Sequence, residues 1–174
     1  MDELRPRLAT AADASAIASI YNEGIAARSA TFETEPRSVD EVARWVAASV
    51  HPMLVAEVRG EVVAAGWISA YSERLCYGGV GECSVYVAAD HRGRGIGTAL
   101  CEALAAEAER QGFYKLLGKL FTTNEASNRL VRRCGFREVG VHLCHGRLGG
   151  GWRDVLLVER LLGDAARVAA RSPG

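Results

Sequence analysis

Apolar positions along the chain switch between a period of two and a period near 3.6, marking alternating strands and helices. A short strand at 5–8 is followed by Thr10, Ala11, Ala12 and Asp13, a capping-box-like start to a helix with Ala16, Ile17, Ile20 and Tyr21 on one face. After Phe32 and Pro36, a second start at Ser38 and Glu41 opens a helix carrying Val42, Trp45 and Val46. Segments 53–58 and 62–68 read as a hairpin across Arg59, Gly60 and Glu61. A strand at 81–87 leads through a glycine-rich loop into a long helix, with Ile96, Ala99, Leu100, Ala103 and Leu104 at helical spacing and Gly112 as its stop. A strand at 116–121 comes next, then a helix capped around Asn124 and ending at Cys134 and Gly135. Two last strands, 137–144 and 152–161, flank the turn Gly149, Gly150, Gly151.

Hairpins and strand-helix-strand units occur together, so the expected class is α/β (α+β): one mixed sheet with helices on both faces. The crossover helix makes strands 81–87 and 116–121 parallel neighbours. There is no internal repeat or linker. One domain is expected over 1–163, followed by a flexible Ala/Arg-rich tail at 164–174.

The chain has 174 residues, with 21 Lys and Arg against 21 Asp and Glu, so no charge excess suggests nucleic acid. No apolar run approaches the roughly 20 residues of a membrane span, and the first residues lack a signal-peptide pattern. A soluble cytoplasmic protein is the expectation. Five cysteines, without a C-x-x-C pair, read as reduced. His142 and His145 would point to opposite faces of a strand, and no H-E-x-x-H is present, so no metal is expected.

The densest chemical signal is His91, Arg92, Gly93, Arg94, Gly95, Ile96, Gly97 between a strand and a helix. Alternating glycines let backbone N–H groups converge on an anion, and the helix adds the positive end of its dipole. A plain turn with solvated arginines is the other reading. A Walker loop would need a Lys after the glycines, and a Rossmann turn needs G-x-G-x-x-G; neither spacing is present. Glu82 begins an otherwise small and aliphatic strand, where a carboxylate is either paired, at an exposed strand end, or chemically employed. Asn124 and Ser127 suit a helix start, a duty that would explain Asn124 without any ligand.

The segment 92–97 resembles the R/Q-x-x-G-x-G/A loop of the GCN5-related N-acetyltransferases, and Asn124 to Phe136 resembles their N-x-x-A/S…GF segment. Further similarity is narrower. Glu82, Cys83, Ser84, Val85, Tyr86, Val87 resembles the E-x-[ST]-V-Y-V segment of the phosphinothricin N-acetyltransferases. Ala30 to Pro36, Tyr21 with Asn22, and Gly151 to Val155 match other segments of that family, whose relatives act on methionine sulfoximine and arsinothricin.

The resemblance implies acetyl-CoA as cosubstrate and no metal. It assigns pyrophosphate binding to Arg92, Gly93, Arg94, Gly95, Ile96 and Gly97, and contact with the pantetheine arm or diphosphate to Asn124 and Ser127. It also implies that two central strands splay near Val85, Tyr86 and Val87, with N–H groups around Tyr86 to Ala88 holding the acetyl oxygen. Phe32, Arg74 and Tyr77 would line a closed acceptor pocket for a small amino acid, Arg74 pairing with a carboxylate or phosphinate. Glu82 would take the amine's proton, and Tyr86 would either face the acceptor or pack. Arg153 and Val131 depart from the family pattern: Val131 stands where many members carry a proton-donating Tyr. A homodimer is implied as well. The competing readings are an acetyltransferase for a protein N-terminus or another amine metabolite, and a non-catalytic acyl-CoA sensor.

Overall fold

The computed structural model describes residues 4–171, so residues 1–3 of the expected domain and 172–174 of the expected tail lie outside the described residues. In chain order the elements are β1 (Leu4–Leu8), α1 (Ala14–Ala27), α2 (Val39–Ala48), β2 (Met53–Val58), β3 (Glu61–Ala70), β4 (Val80–Val87) and α3 (Ile96–Arg110). Then come β5 (Lys115–Phe121), α4 (Glu125–Arg133), β6 (Arg137–Leu148), β7 (Gly151–Leu161) and α5 (Gly163–Arg171). The strands form one sheet in the order β1-β2-β3-β4-β5-β7-β6. Among the described residues only the β4–β5 pair is parallel.

The period-two and period-3.6 stripes meet on both faces of this sheet. On one, Leu100, Cys101 and Leu104 of α3 and Val131 of α4 bury against Leu54, Ile68 and Leu116. On the other, Ile17 and Ala18 of α1 and Val42 of α2 pack on Val55, Ala65 and Trp67. The β2–β3 hairpin turns through Arg59 and Gly60, both at positive φ (55° and 82°), the two-residue turn whose twist matches its strands.

Two features differ from the pattern-based expectation. The tail is helical over Gly163–Arg171, where Asp164 pairs with Arg167 one turn on; its alanines and arginines are strong helix formers. The parallel pairing of β4 with β5 also covers less than the side-by-side run that the pattern predicts, only Val80 to Glu82 against Lys115 to Leu117, the strands parting ahead of the region where the family resemblance implies a splay. Beyond that point β4 continues along β3 to Val87 and β5 continues along β7 to Phe121, so the two centre strands part.

The first helix is entered through an ion-paired corner. Arg7 Nη1 and Nη2 donate to the two Asp13 oxygens at 2.8 Å each, and its Nε donates to Glu57 at 2.8 Å. The Arg7 hydrogen bonds hold the buried Asp13 carboxyl down at about 2, against the ordinary value of 3.8. Because the folded-state value is depressed, the stabilisation is fully present above the unfolded value and is lost as pH falls through about 2. It amounts to about 2 kcal/mol. Urea unfolding should therefore show Asp13→Asn less stable than wild type by about that amount at pH 6. The gap should close near pH 2; a gap constant with pH would refute the assignment.

Candidate active site

Beyond Val87 the chain makes a short 3-10 turn at Ala89–His91, pinned to α1 by the Ala89 amide donating to Glu23 Oε2 at 2.8 Å. Gly93 and Gly95 then adopt φ of 76° and 80°, a conformation that side chains with a Cβ rarely take. Gly95 is the N-cap of α3 and provides no side-chain cap, which leaves the first-turn amides of the helix facing outward. Gly97 has a different role: a Cβ there would lie 2.6 Å from Leu130 and 3.3 Å from Val87, so its absence lets α3 approach β4 and α4.

A cavity of about 260 Å³ lies over this loop. Val85 to Val87, the three loop glycines with Arg92 and Ile96, and Asn124 with Ser127 line it, the residues to which the family resemblance assigns cofactor contacts. Arg94 does not. Arg129 and Arg133, on the same α4 face as Ala126 and Leu130, join Arg92 there, and no carboxylate is among the lining residues. Their i, i+4 spacing was visible in the sequence, but it points at the loop only once α4 is docked beside α3. Asn124 performs its capping duty, accepting from the Ser127 amide at 3.1 Å, and its Nδ2 donates to the Ser29 carbonyl at 2.9 Å. The cap thus also ties α4 to the segment after α1.

The parting of β4 from β5 has a definite consequence for backbone polarity. In an antiparallel ladder the N–H and C=O of one residue point the same way, and successive residues alternate. Ala88 N–H donates to Val63 and the Val80 carbonyl accepts from Tyr71, so the even-numbered residues of β4 face β3. Cys83, Val85 and Val87 therefore turn their amides toward β5, which is still paired at Glu82 and absent beside Val85 and Val87. Within the expected Tyr86 to Ala88 stretch the amides of Tyr86 and Ala88 belong to the β3 ladder, and that of Val87 faces the gap together with that of Val85 one step earlier.

The Tyr86 side chain packs. Its ring stacks on Trp67 at 5.2 Å and meets Tyr21 edge-on at 5.0 Å, with Trp45 beyond at 4.5 Å from Trp67. Burial, ahead of the nearby Tyr21, pushes its phenol far above the ordinary range, so it stays neutral.

Glu82 is the last β4 residue paired with β5. Its Oε1 accepts from Lys119 Nζ at 2.6 Å, both side chains being partly exposed. Lys119 is absent from the sequence-based set, since only the β4–β5 register brings it to Glu82. Of the expected acceptor residues, Phe32 sits edge-on to Phe121 at 4.7 Å and covers Gly146. Arg74 lies over the Tyr77 ring at 5.7 Å on the exposed β3–β4 connection, where Tyr77 also meets Tyr71 at 5.6 Å. Among the described residues no hydrogen bond, ion pair or ring contact joins Arg74 or Tyr77 to Phe32 or Glu82.

Val131 is buried in the α3–α4 core and has no proton to give. His142 and His145 do not oppose each other across a strand: β6 slips register between His142 and Gly146, with Cys144 at φ 50°, and the imidazoles stack at 4.6 Å. Arg153 Nη1 donates to the Trp152 carbonyl at 3.2 Å, while Arg147 stacks on the Trp152 ring.

The geometry agrees with known proteins. The model of the acetyltransferase (GNAT) family matches residues 17–136. The phosphinothricin N-acetyltransferase of Streptomyces viridochromogenes is 34% identical over 91% of this chain and 86% of its own length. The L-methionine sulfoximine/L-methionine sulfone acetyltransferase of Pseudomonas paraeruginosa is 31% identical over 88% of this chain and 91% of its own. A GNAT superfamily phosphinothricin acetyltransferase from Sinorhizobium meliloti, solved with acetyl-CoA, superposes with a TM-score of 0.88 at 31% identity, covering 98% of this chain and 93% of that one. With a glycine loop capping α3, a parted centre pair and a family match over most of its length, this chain belongs to the acetyltransferase (GNAT) family.

Proposed function

We propose that the protein transfers the acetyl group of acetyl-CoA to the α-amine of a small glutamate-like amino acid, such as phosphinothricin, methionine sulfoximine or arsinothricin. The observation that carries this reading is the cavity where β4 parts from β5. It combines open amides at Val85 and Val87, a glycine loop ending in uncapped helix N–H groups, and three arginines in a lining that holds no carboxylate, Arg129 pairing with the exposed Glu125 outside it at 3.3 Å. Arg92, Arg129 and Arg133 with the loop amides suit the phosphates of coenzyme A. Asn124 and Ser127 border the pantetheine path. The Val85 amide is held to donate to the acetyl oxygen as it gains charge, without a reorganisation cost at the moment of reaction.

Glu82 takes a proton from the acceptor's ammonium, directly or through one water, and the freed amine attacks the thioester. No enzyme nucleophile is required. With Val131 at the usual donor position, the departing sulfur takes its proton from solvent or from the amine, or leaves as a thiolate. Phe32 walls the acceptor side, and Arg74 with Tyr77 on the β3–β4 connection completes it. We place this activity in the cytoplasm as a homodimer, for which the exposed Val139, Val141 and Leu143 on edge strand β6 are the supporting surface. A strictly monomeric sedimentation profile would remove the dimer.

Thiol release from acetyl-CoA with L-phosphinothricin, L-methionine sulfoximine and arsinothricin in parallel tests the reading. Saturable turnover of at least one is expected. Tight acetyl-CoA binding with no turnover of any would turn the acceptor search to peptide N-termini or leave a sensor.

A further inference from the structure

Lys119 has no structural duty that accounts for it. Leu116 and Leu120 of β5 face the α3 core, so Leu117, Lys119 and Phe121 share the opposite face, which is the face of Glu82. There Phe121 is buried under Phe32, Lys115 is taken up by the buried Glu159 at 2.9 Å, and Lys119 is the cation that stands beside Glu82. Its side chain is 46% exposed and that of Glu82 28% exposed, and such pairs contribute little to stability. Only Oε1 of Glu82 is engaged; Oε2 accepts no hydrogen bond among the described residues. The pair stands where the β4–β5 ladder has just ended, so no backbone seals it.

A free α-amino acid carries its ammonium and carboxylate on one carbon, the same close spacing of opposite charges as Glu82 and Lys119 but reversed. Resting on the acetyl-transfer reading above, we propose that Lys119 is the receptor for the acceptor's α-carboxylate. Lys119 exchanges Glu82 for that carboxylate as the α-ammonium docks against Glu82, so one substrate zwitterion replaces one internal ion pair. An N–H bond of the ammonium then breaks, with its proton passing to the Glu82 carboxylate. The nitrogen lone pair forms the bond to the acetyl carbon, the C–S bond breaks with the electron pair staying on the sulfur, and the second proton of the acylated nitrogen passes to that sulfur or to water. The proton on Glu82 leaves to water. This assignment makes the enzyme selective for free α-amino acids over amines or amides, and it leaves Arg74 for the far end of the acceptor.

The test compares L-methionine sulfone with its α-carboxamide in wild type, Lys119→Met and Lys119→Arg. Lys119→Met should lower kcat/KM for the acid roughly 10- to 100-fold, chiefly through KM, and alter the amide by less than about threefold. Lys119→Arg should retain most of the wild-type preference. Parallel losses on acid and amide, or no loss on the acid, would overturn the assignment while leaving acetyl transfer intact. Absence of wild-type turnover would count against acetyl transfer to this acceptor instead. Titration calorimetry of L-methionine sulfone into wild type and Lys119→Met then decides Lys119 separately: weaker binding to the variant supports it, and equal or absent binding in both overturns it.

Discussion

Glu82→Gln should lower kcat by on the order of 10²- to 10⁴-fold, the span of a missing general base, while acetyl-CoA binds as before. The substitution preserves side-chain shape and removes the negative charge, and with it the ability to accept a proton. Glu82 does not line the cavity that holds the loop amides and arginines, so cosubstrate affinity has no reason to change. Nor does the fold: the ion pair between Glu82 and Lys119 is partly exposed and contributes at most about 1 kcal/mol. Calorimetric titration with acetyl-CoA, a melting curve and single-turnover kinetics separate the three effects. A variant that turns over at the wild-type rate would remove Glu82 from the chemistry and leave proton acceptance to bulk water.

Gly95→Val is expected to do the reverse, damaging cosubstrate binding far more than the acceptor side. Gly95 sits at φ 80° and caps α3, and a Cβ there meets no protein atom within 4 Å. The damage is therefore conformational: a β-branched residue held at positive φ costs about 1–3 kcal/mol. The loop can relieve that strain only by leaving the geometry that aims the first α3 amides. Affinity for acetyl-CoA should fall roughly 10- to 100-fold, the same energy expressed as a dissociation constant. Unchanged affinity in equilibrium titration would mean that the loop amides do not carry the phosphate contacts.

What the sequence made legible follows the range of the forces involved. The glycine loop is local: left-handed φ at Gly93 and Gly95 and the close approach at Gly97 each demand glycine whatever surrounds them. The Asn124 cap and the two-sided core are local or periodic in the same sense. Residues that meet only through strand register were not legible. Lys119 reaches Glu82 because Glu82 aligns with Leu117, and His142 reaches His145 because β6 slips by a bulge. The spacing of apolar residues does not encode where two parallel strands stop pairing. Arg74 and Tyr77 show the same limit from the other side: residue type and a family pattern suggest a pocket lining, but where their side chains stand depends on the exposed connection that carries them.

The outer half of β4 is held from its faces and from one edge only. Val85 and Val87 pack into the α3 core, Tyr86 is wedged against Tyr21 and Trp67, and β3 binds the remaining edge. The strand is therefore stiff without being saturated, and its spare amides are a debt that folding alone leaves unsettled. Any substitution that drew β5 back alongside Val85 and Val87 would satisfy those amides and raise the melting temperature. It would also fill the gap with protein, so selection for thermal stability alone would tend to erase the site.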